Sequence, residues 1–254
     1  MKLPTFVSLV FFAVLLHAQD FQYLPTSTTN QIVTHSHYAL SYSEDHEQAE
    51  WVAYELTATE AQGTIDRTDN FRPDPSVSTG SAALSDYKGS GYDRGHLAPA
   101  ADMAFSPQAM SESFYLSNMS PQTASFNRGI WRQVEQQVRT WAVQNNSVYV
   151  VTGCIFTGRT KSVGYNRVAV PTFYYKVIAD LHEPEVKATA LLLSHRKGTT
   201  PLSQYAVTID SIDSRRFLSA ITGFIGRGVG EQHSNPPMDV GNDNHETKPV
   251  ICSG

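Results

Sequence analysis

The sequence contains few cysteines and carries no excess of positive charge. Only two cysteines, Cys154 and Cys252, occur among 254 residues. No Cys-x-x-Cys pair is present, so a cysteine-rich structural zinc site is not expected. The formal net charge is −5, whereas proteins that bind nucleic acid usually present basic faces to phosphate. Net charge informs on solubility and steering, however, and does not exclude a local basic site.

Long apolar runs are absent except at the N-terminus. Residues 1–18, MKLPTFVSLVFFAVLLHA, place Lys2 before an apolar run that extends from Phe6 to Leu16, and they end at Ala18. This run is shorter than the roughly 20 residues of a membrane span. The order of its regions is typical of a secretory signal peptide, with a buried N-terminal helix as the alternative. We therefore predict that the chain is secreted or periplasmic and does not span a membrane.

The rest of the chain shows no internal repeat and no long linker. Its length favours one large domain, which we place at residues 19–225, followed by a polar tail at residues 226–254. In an oxidising compartment two cysteines favour one disulfide, here between Cys154 and Cys252. A buried thiol together with a free thiol in the tail is the alternative.

Apolar patterning predicts an α+β fold with a largely antiparallel central sheet flanked by helices. Strands and helices are interleaved without a regular βαβ alternation, which favours this class. Residues 67–91 are rich in Pro, Gly, Ser and Asp and predict a long surface loop. The predicted strands are 38–42, 51–56, 147–156 (with a glycine turn), 168–181 and 186–195, the predicted helices are 106–116 and 128–143, and 208–221 opens as a strand and closes as a helix.

The stretch GYDRGHLAPAADM, residues 91–103, places Asp93, Arg94 and His96 within four residues. A histidine is neutral near pH 7 and accepts a proton readily. An arginine two residues away on an extended segment points to the same face, and its planar guanidinium suits phosphate. The stretch therefore indicates a base held beside an anion-binding group, with a structural Asp–Arg ion pair as the alternative.

A second stretch, NMSPQTASFNRGIWRQVEQQVR at 118–139, spaces Asn127, Trp131, Glu135 and Arg139 four residues apart. On a helix these side chains line one face. The alternatives are an N-cap at Asn127 and a surface pair of Glu135 with Arg139, which would contribute only about 0.3–0.5 kcal/mol.

Taken together, these stretches resemble the DNA/RNA non-specific endonucleases of the ββα-metal class. The resemblance depends on DRGH followed by NMSPQ and NRGIW, on a glutamate eight residues after the asparagine of NRGIW, and on RTDNFRPDP upstream. It extends over roughly residues 35–225. It implies a fold in which a β-hairpin and one helix form the active site.

The resemblance also implies roles for individual residues. His96 would be the general base that deprotonates a water molecule. Asn127 would be the only direct protein ligand of one Mg²⁺, for which Mn²⁺ or another divalent ion could substitute, and Glu135 would orient water molecules around that ion. Asp93 would anchor the strand that carries His96.

Further residues follow from the same resemblance. Arg67, Arg94 and Arg139 would neutralise charge on the phosphate during the reaction. Asn118 would support the site. Apart from the resemblance, Arg128 flanks the helix, where it would contact the substrate backbone or be simply an exposed charge.

The implied activity is hydrolysis of single- and double-stranded DNA and RNA to products with 5′-phosphates. Two other hypotheses stay open. One is a catalytically silent module that binds nucleic acid, and the other is an exported zinc hydrolase built around His35 and His37.

Overall fold

The computed structural model describes residues 24–182, 186–209 and 212. Seven strands of the described residues form one sheet, and every neighbouring pair in it is antiparallel. In chain order the strands are β1 (Ile32–Thr34), β2 (Ala39–Ser43), β3 (Gln48–Thr57), β4 (Asp93–His96), β5 (Met119–Gln122), β6 (Ser147–Ile155), β7 (Ser162–Val163), β8 (Val168–Ala169), β9 (Phe173–Asp180), β10 (Lys187–Ser194) and β11 (Ala206–Val207). The order in the large sheet is β1-β2-β3-β6-β9-β10-β11. The predicted α+β class with an antiparallel sheet is confirmed.

Three α-helices accompany the sheet in the described residues: α1 (Leu84–Tyr87), α2 (Pro107–Ser113) and α3 (Arg132–Gln144). A π-helical turn, Phe126–Trp131, leads directly into α3. Helix α2 begins as predicted, because the Ser106 side chain accepts a hydrogen bond from the Ala109 amide and Pro107 occupies the first turn.

The sheet buries both of its faces. On one face Val52, Tyr54 and Val150 pack against Val134 and Val138 of α3. On the other face Trp51, Val151 and Tyr175 form a second apolar cluster with Ile212. Successive side chains of a strand point to opposite faces, so the nearly unbroken apolar sequence of β6 serves both clusters.

The long segment between β3 and β6 positions the site. These two strands are neighbours in the sheet, yet residues 58–146 separate them in sequence. Within this segment β4 and β5 form an antiparallel hairpin, and α3 packs on the sheet face formed by β3 and β6. All eight predicted catalytic, metal-binding and supporting residues lie in this one segment.

Several predicted elements differ from the structure. The single strand predicted at 168–181 is divided into β8 and β9 around Pro171, which has no amide hydrogen to donate to a sheet. Gly153 lies inside β6 and does not form a turn. A side chain there would collide with the Tyr175 hydroxyl, so the glycine permits the close approach of β9.

Two further boundaries were wrong. The helix predicted at 106–116 ends at Ser113, and a 3₁₀ turn follows at Leu116–Asn118. The strand predicted to open at 208 is instead β11, which ends at Val207, and Ile209 is already helical. The predicted signal peptide, the tail at 226–254 and Cys252 lie outside the described residues. Among the ranges 24–182 and 186–209, no helix is long and apolar enough to cross a membrane.

Candidate active site

The DRGH motif forms β4, in which Asp93 is partly buried, Arg94 is exposed, and Gly95 and His96 are buried. Gly95 pairs with Ser120 and His96 with Met119 of β5. A side chain at Gly95 would overlap the buried Gln122 side chain. The glycine of the motif is therefore required for Gln122 to lie across the strand.

His96 is nearly buried, with 8% of its surface exposed. Its ring centroid lies 5.1 Å from that of Phe114, edge to face, and 6.0 Å from that of Phe71. The Nε2 atom is buried and has no hydrogen-bond partner among the described residues. Burial lowers the pKa of His96 to about 3, with further contributions from the positive charges of Arg67 and Arg94. The imidazole is therefore neutral at physiological pH.

Two of the predicted arginines lie over the aromatic rings that contact His96. The Cζ atom of Arg94 lies 4.1 Å from the centroid of Phe71, and that of Arg67 lies 4.7 Å from the centroid of Phe114. Arg67 also pairs with Asp69 at 2.6 Å, with both side chains about half exposed. Arg94 has no carboxylate within 4.0 Å in the part of the chain described. Its guanidinium is held without using its hydrogen-bond donors.

The two phenylalanines were not identified from the sequence. Phe71 falls inside the RTDNFRPDP stretch, where an apolar residue among polar ones is a weak signal for a buried contact. Phe114 precedes the NMSPQ motif, and nothing in its local spacing distinguishes it from an ordinary core residue.

Asn118 is fully buried and holds the chain directly after His96. Its Oδ1 atom accepts a hydrogen bond from the Ala98 amide at 2.9 Å. Its Nδ2 atom donates to the carbonyls of Ala98 and Ser113 at 2.9 and 2.8 Å. Because both the oxygen and the nitrogen of its side-chain amide are hydrogen-bonded to the backbone, Asn118 fixes the chain beside His96.

On the helix side, Asp93 joins β4 to the turn before α3. Its carboxylate accepts a hydrogen bond from Asn127 Nδ2 at 3.1 Å and two from Arg128, at 2.9 and 2.7 Å. Burial raises the pKa of Asp93, but the hydrogen bonds from Arg128 and Asn127 outweigh it and leave the pKa below its usual value. With Nδ2 bound to Asp93, the Oδ1 atom of Asn127 is the atom available for a cation.

The regular face predicted for Asn127 and Trp131 is interrupted. Residues Phe126–Trp131 form a π-helical turn, in which Gly129 leaves helical geometry at φ −102° and ψ −114°. Asn127 is not at the N-cap position, because the helical run already begins at Ala124. Asn127 therefore lies on a widened turn before α3. Such π-helical turns occur frequently at functional sites.

Arg139 is held by Asp102, which the sequence analysis did not identify. Arg139 Nη1 donates to Asp102 Oδ1 at 2.7 Å, and the Tyr54 hydroxyl donates to Asp102 Oδ2 at 2.7 Å. Asp102 is fully buried. In the described residues Arg139 pairs with Asp102 and not with Glu135, so the alternative of a surface pair between Glu135 and Arg139 is wrong.

Glu135 follows on α3 and is partly buried. Its carboxylate makes no hydrogen bond with any described residue. Burial raises the pKa of Glu135, the nearby Asp102 adds to the rise, and the cations Lys176, Arg139 and Arg67 oppose it.

The two histidines considered for zinc have separate partners. His35 Nε2 lies 2.9 Å from Asp74 Oδ2 in a buried pair, whereas the His37 ring packs edge to face on Phe105. No cluster of three or more His, Cys, Asp or Glu residues suited to a metal occurs within the described ranges. These contacts give the zinc hypothesis no support.

Cys154 is buried in β6. Its Sγ atom lies 3.6 Å from both Gln48 Oε1 and Ser120 Oγ, and burial raises the pKa of its thiol to about 12. Since Cys252 lies outside the described residues, the disulfide between them stays a prediction.

A neutral buried histidine, an arginine without a described carboxylate partner and an available amide oxygen are groups suited to the cleavage of phosphate esters. The profile of the family described as DNA/RNA non-specific endonuclease matches residues 20–223. The chain belongs to this family, and it is a nuclease.

Individual relatives agree with this assignment. Human mitochondrial endonuclease G is 34% identical over 212 residues, which cover 78% of this chain and 71% of the relative. Nuclease C1 of Cunninghamella echinulata var. echinulata is 39% identical over 209 residues, which cover 76% and 83%. Mitochondrial nuclease EXOG of Danio rerio is 38% identical over 169 residues, but the chain spans only about half of its length, 49%.

A solved structure shares the fold. The crystal structure of the EndoG/EndoGI complex contains a chain that superimposes with a TM-score of 0.68 at 31% identity, covering 73% of this chain and 83% of that one. The ββα-metal nuclease fold expected from the sequence is confirmed.

Proposed function

We propose that this chain is an exported, Mg²⁺-dependent endonuclease that hydrolyses single- and double-stranded DNA and RNA to products with 5′-phosphates. The observation that carries the proposal is the arrangement of His96 and Arg94. A buried neutral imidazole lies beside a guanidinium that no described carboxylate occupies. This combination suits a phosphodiester, because the arginine binds the anion while the histidine accepts a proton.

His96 acts as the general base, and the substrate adjusts its basicity. Without substrate, burial and the charges of Arg67 and Arg94 hold the pKa of His96 at about 3, which is low for a catalytic base. A bound phosphate offsets the two positive charges and therefore raises the pKa of the imidazole. The base becomes stronger only when the bond to be cleaved is in place.

The donor set fits magnesium better than zinc. Mg²⁺ prefers oxygen ligands and usually retains several water molecules, so the single free Oδ1 of Asn127 suffices as a direct protein ligand. Zinc sites need three or four nitrogen, sulfur or oxygen ligands from the protein, and the described residues offer no such cluster. Glu135, with no hydrogen bond to the rest of the described chain, is the acceptor for water around the ion. When bound, the ion supplies charge stabilisation for the departing 3′ oxygen.

The arginines stabilise the negative charge that increases on the phosphate during the reaction. Arg94 and Arg67 exchange their aromatic contacts for contacts to phosphate oxygen. Arg139 acts from a fixed position, because Asp102 holds it. None of these groups addresses a ribose 2′-hydroxyl or a base edge, which supports activity on both DNA and RNA with little sequence preference.

Export is proposed from residues 1–18 alone, whose composition is that of a signal peptide. N-terminal sequencing of protein recovered from the periplasm or medium tests it. We expect cleavage near Ala18, and an intact N-terminus on a cytoplasmic protein would contradict it.

The deciding experiment is digestion of supercoiled plasmid and of a defined RNA, with Mg²⁺ and with EDTA. We expect both substrates to be cut internally with Mg²⁺ and neither with EDTA, and we expect His96→Ala to be inactive. Binding without cleavage by the wild-type protein would instead support the silent binding module.

A further inference from the structure

Lys176 is a buried cation that the mechanism above does not use. It lies in the middle of β9 and is completely inaccessible to solvent. Its side chain points to the sheet face that packs against α3, as do those of Tyr174 and Ile178 at the neighbouring even positions. A lysine in such a core is unusual, because burying its charge costs several kcal/mol unless partners compensate.

The partners of Lys176 are neutral. Its Nζ atom donates to the Leu97 carbonyl at 3.2 Å and to the Thr152 hydroxyl at 2.5 Å. It also lies 5.0 Å from the centroid of the Trp131 ring. No carboxylate lies within 4.0 Å of it among the described ion pairs. A methionine would fill the same space without the cost of desolvation, so packing alone does not account for the lysine.

The contacts of Lys176 fix the backbone that carries the base. Leu97, whose carbonyl it holds, directly follows His96. The carbonyl of His96 itself accepts a hydrogen bond from Trp131 Nε1 at 3.4 Å, and the amide of Leu97 donates to the Asn118 carbonyl at 3.0 Å. The end of β4 is thus held from the sheet, from the helix and from Asn118.

The charge of Lys176 acts on the carboxylates of the site. Asp102 already has Arg139 and Tyr54 as partners, whereas Glu135 has no hydrogen-bond partner in the described chain. Burial lowers the pKa of Lys176, and the negative charges of Glu135 and Asp102 oppose that change. Lys176 Nζ lies over the ring of Trp131, which precedes Glu135 by four residues and is therefore its neighbour one helical turn away. This contact places the positive charge of Lys176 near the Glu135 carboxylate.

From these contacts we propose that Lys176 is a positioning residue of the nuclease site. Its ammonium group holds the carbonyl that follows His96 and supplies, from the sheet, the positive charge that favours the Glu135 anion. This inference rests on the proposed function, in which His96 is the base and Glu135 accepts hydrogen bonds as a carboxylate.

The test is Lys176→Met, which keeps the volume and removes the charge. We expect kcat on a plasmid substrate with saturating Mg²⁺ to fall about 10–100-fold, as for loss of other groups that orient a metal site, while KM changes less than about twofold. The charged groups that act on Glu135 are Lys176 from β9, Asp102 from the turn after β4, Arg139 from α3 and Arg67 from the segment before α1. Removing one cation raises the pKa of Glu135, so the acidic limb of the kcat profile should move to higher pH.

Matched variants separate this role from a disturbed core. Thr189→Val replaces another buried polar residue of the sheet and should leave both kcat and its pH profile unchanged. Lys176→Gln keeps a hydrogen-bond donor but carries no charge, so it should show the same shift of the acidic limb. It replaces Lys176→Met as the test if the methionine variant does not fold.

The outcomes are distinct. A folded Lys176→Met enzyme with wild-type kcat overturns the proposal, and so does a lower kcat with an unmoved acidic limb, which would indicate a structural effect alone. A wild-type enzyme that does not cleave nucleic acid would refute the proposed function itself.

Discussion

The arginines on the two sides of the site are held in different ways. On the hairpin side, Arg94 lies over Phe71 and Arg67 over Phe114. A cation over an aromatic ring gains about 0.5–1 kcal/mol at an exposed site. The donors of Arg94 stay available within the described chain, whereas Arg67 Nε also donates to the exposed Asp69.

On the helix side, carboxylates hold the arginines. Arg128 makes two hydrogen bonds to Asp93, and Arg139 makes one to the buried Asp102. Charge-assisted hydrogen bonds of this kind are about twice as strong as neutral ones, and they occupy two donors of Arg128 and one of Arg139.

The difference teaches that one residue type has two functions here. We expect Arg94, and Arg67 once it leaves Asp69, to receive an anion, whereas Arg128 and Arg139 also hold the carboxylates of Asp93 and Asp102 in place.

His96→Ala should abolish the base and lower kcat by about 10²–10⁴-fold, the usual contribution of a general base. The fold should survive, because the ring makes no hydrogen bond within the described chain. Plasmid cleavage and circular dichroism measure the two properties. His37→Ala removes another partly buried histidine as a control, and it should cleave like the wild type. A loss of only a few-fold for His96→Ala would remove His96 from the role of base.

Arg94→Ala should lower kcat by about 10²–10³-fold, the range found when a group that stabilises transition-state charge is removed. Arg128→Ala is the matched control from the helix side and should change kcat by less than Arg94→Ala does. Steady-state kinetics on both variants decide the comparison. Equal losses of kcat in the two variants would contradict the proposed difference between Arg94 and Arg128. A rise in KM at unchanged kcat for Arg94→Ala would show that Arg94 only binds the substrate.

Asn127→Ala should reduce activity about 10–100-fold at ordinary Mg²⁺ concentrations, since it removes the available amide oxygen. Asn118→Ala should act differently, because it leaves buried backbone groups unpaired at a cost of about 1–3 kcal/mol each. We expect Asn127→Ala to have the melting temperature of the wild type and Asn118→Ala to have a lower one. A Mg²⁺ titration in which Asn127→Ala matches the wild type would refute the single-ligand site.

Arg139→Ala should affect both properties. It should lower kcat, by about tenfold if Arg139 contributes one charge-assisted interaction of about 1.4 kcal/mol. It should also destabilise the protein by about 3–5 kcal/mol, because Asp102 would remain buried without its cation. Adding Asp102→Asn should restore stability but not kcat. Recovery of both in the double variant would make Arg139 purely structural.

The smallest effect on catalysis is expected for the disulfide. If Cys154 and Cys252 are bonded, reduction should lower the melting temperature, with little change in rate at low temperature. The free energy of unfolding should fall by up to about 4.7 kcal/mol for a loop of roughly 100 residues. Thiols must be counted in denatured, non-reduced protein, because Cys154 is buried and its thiol would not react in the native state. Two free thiols in the exported protein would refute the bond.

Local sequence patterns were sufficient to predict the class of the fold and the residues of the candidate site. The spacing of Val134, Val138 and Trp141, with Trp131 just before them, specifies the buried side of α3. Such features depend on neighbours in sequence and are therefore visible before folding.

Only the tertiary structure decided which groups hold these residues in place. Phe71 and Phe114 meet at His96, Asp102 meets Arg139, and Lys176 meets the Leu97 carbonyl, although up to 79 residues separate the partners. The strength of each contact depends on the exclusion of water, since a buried charge or amide must find a partner whereas an exposed one need not. Burial is a property of the assembled sheet, helix and hairpin together, and no local spacing encodes it.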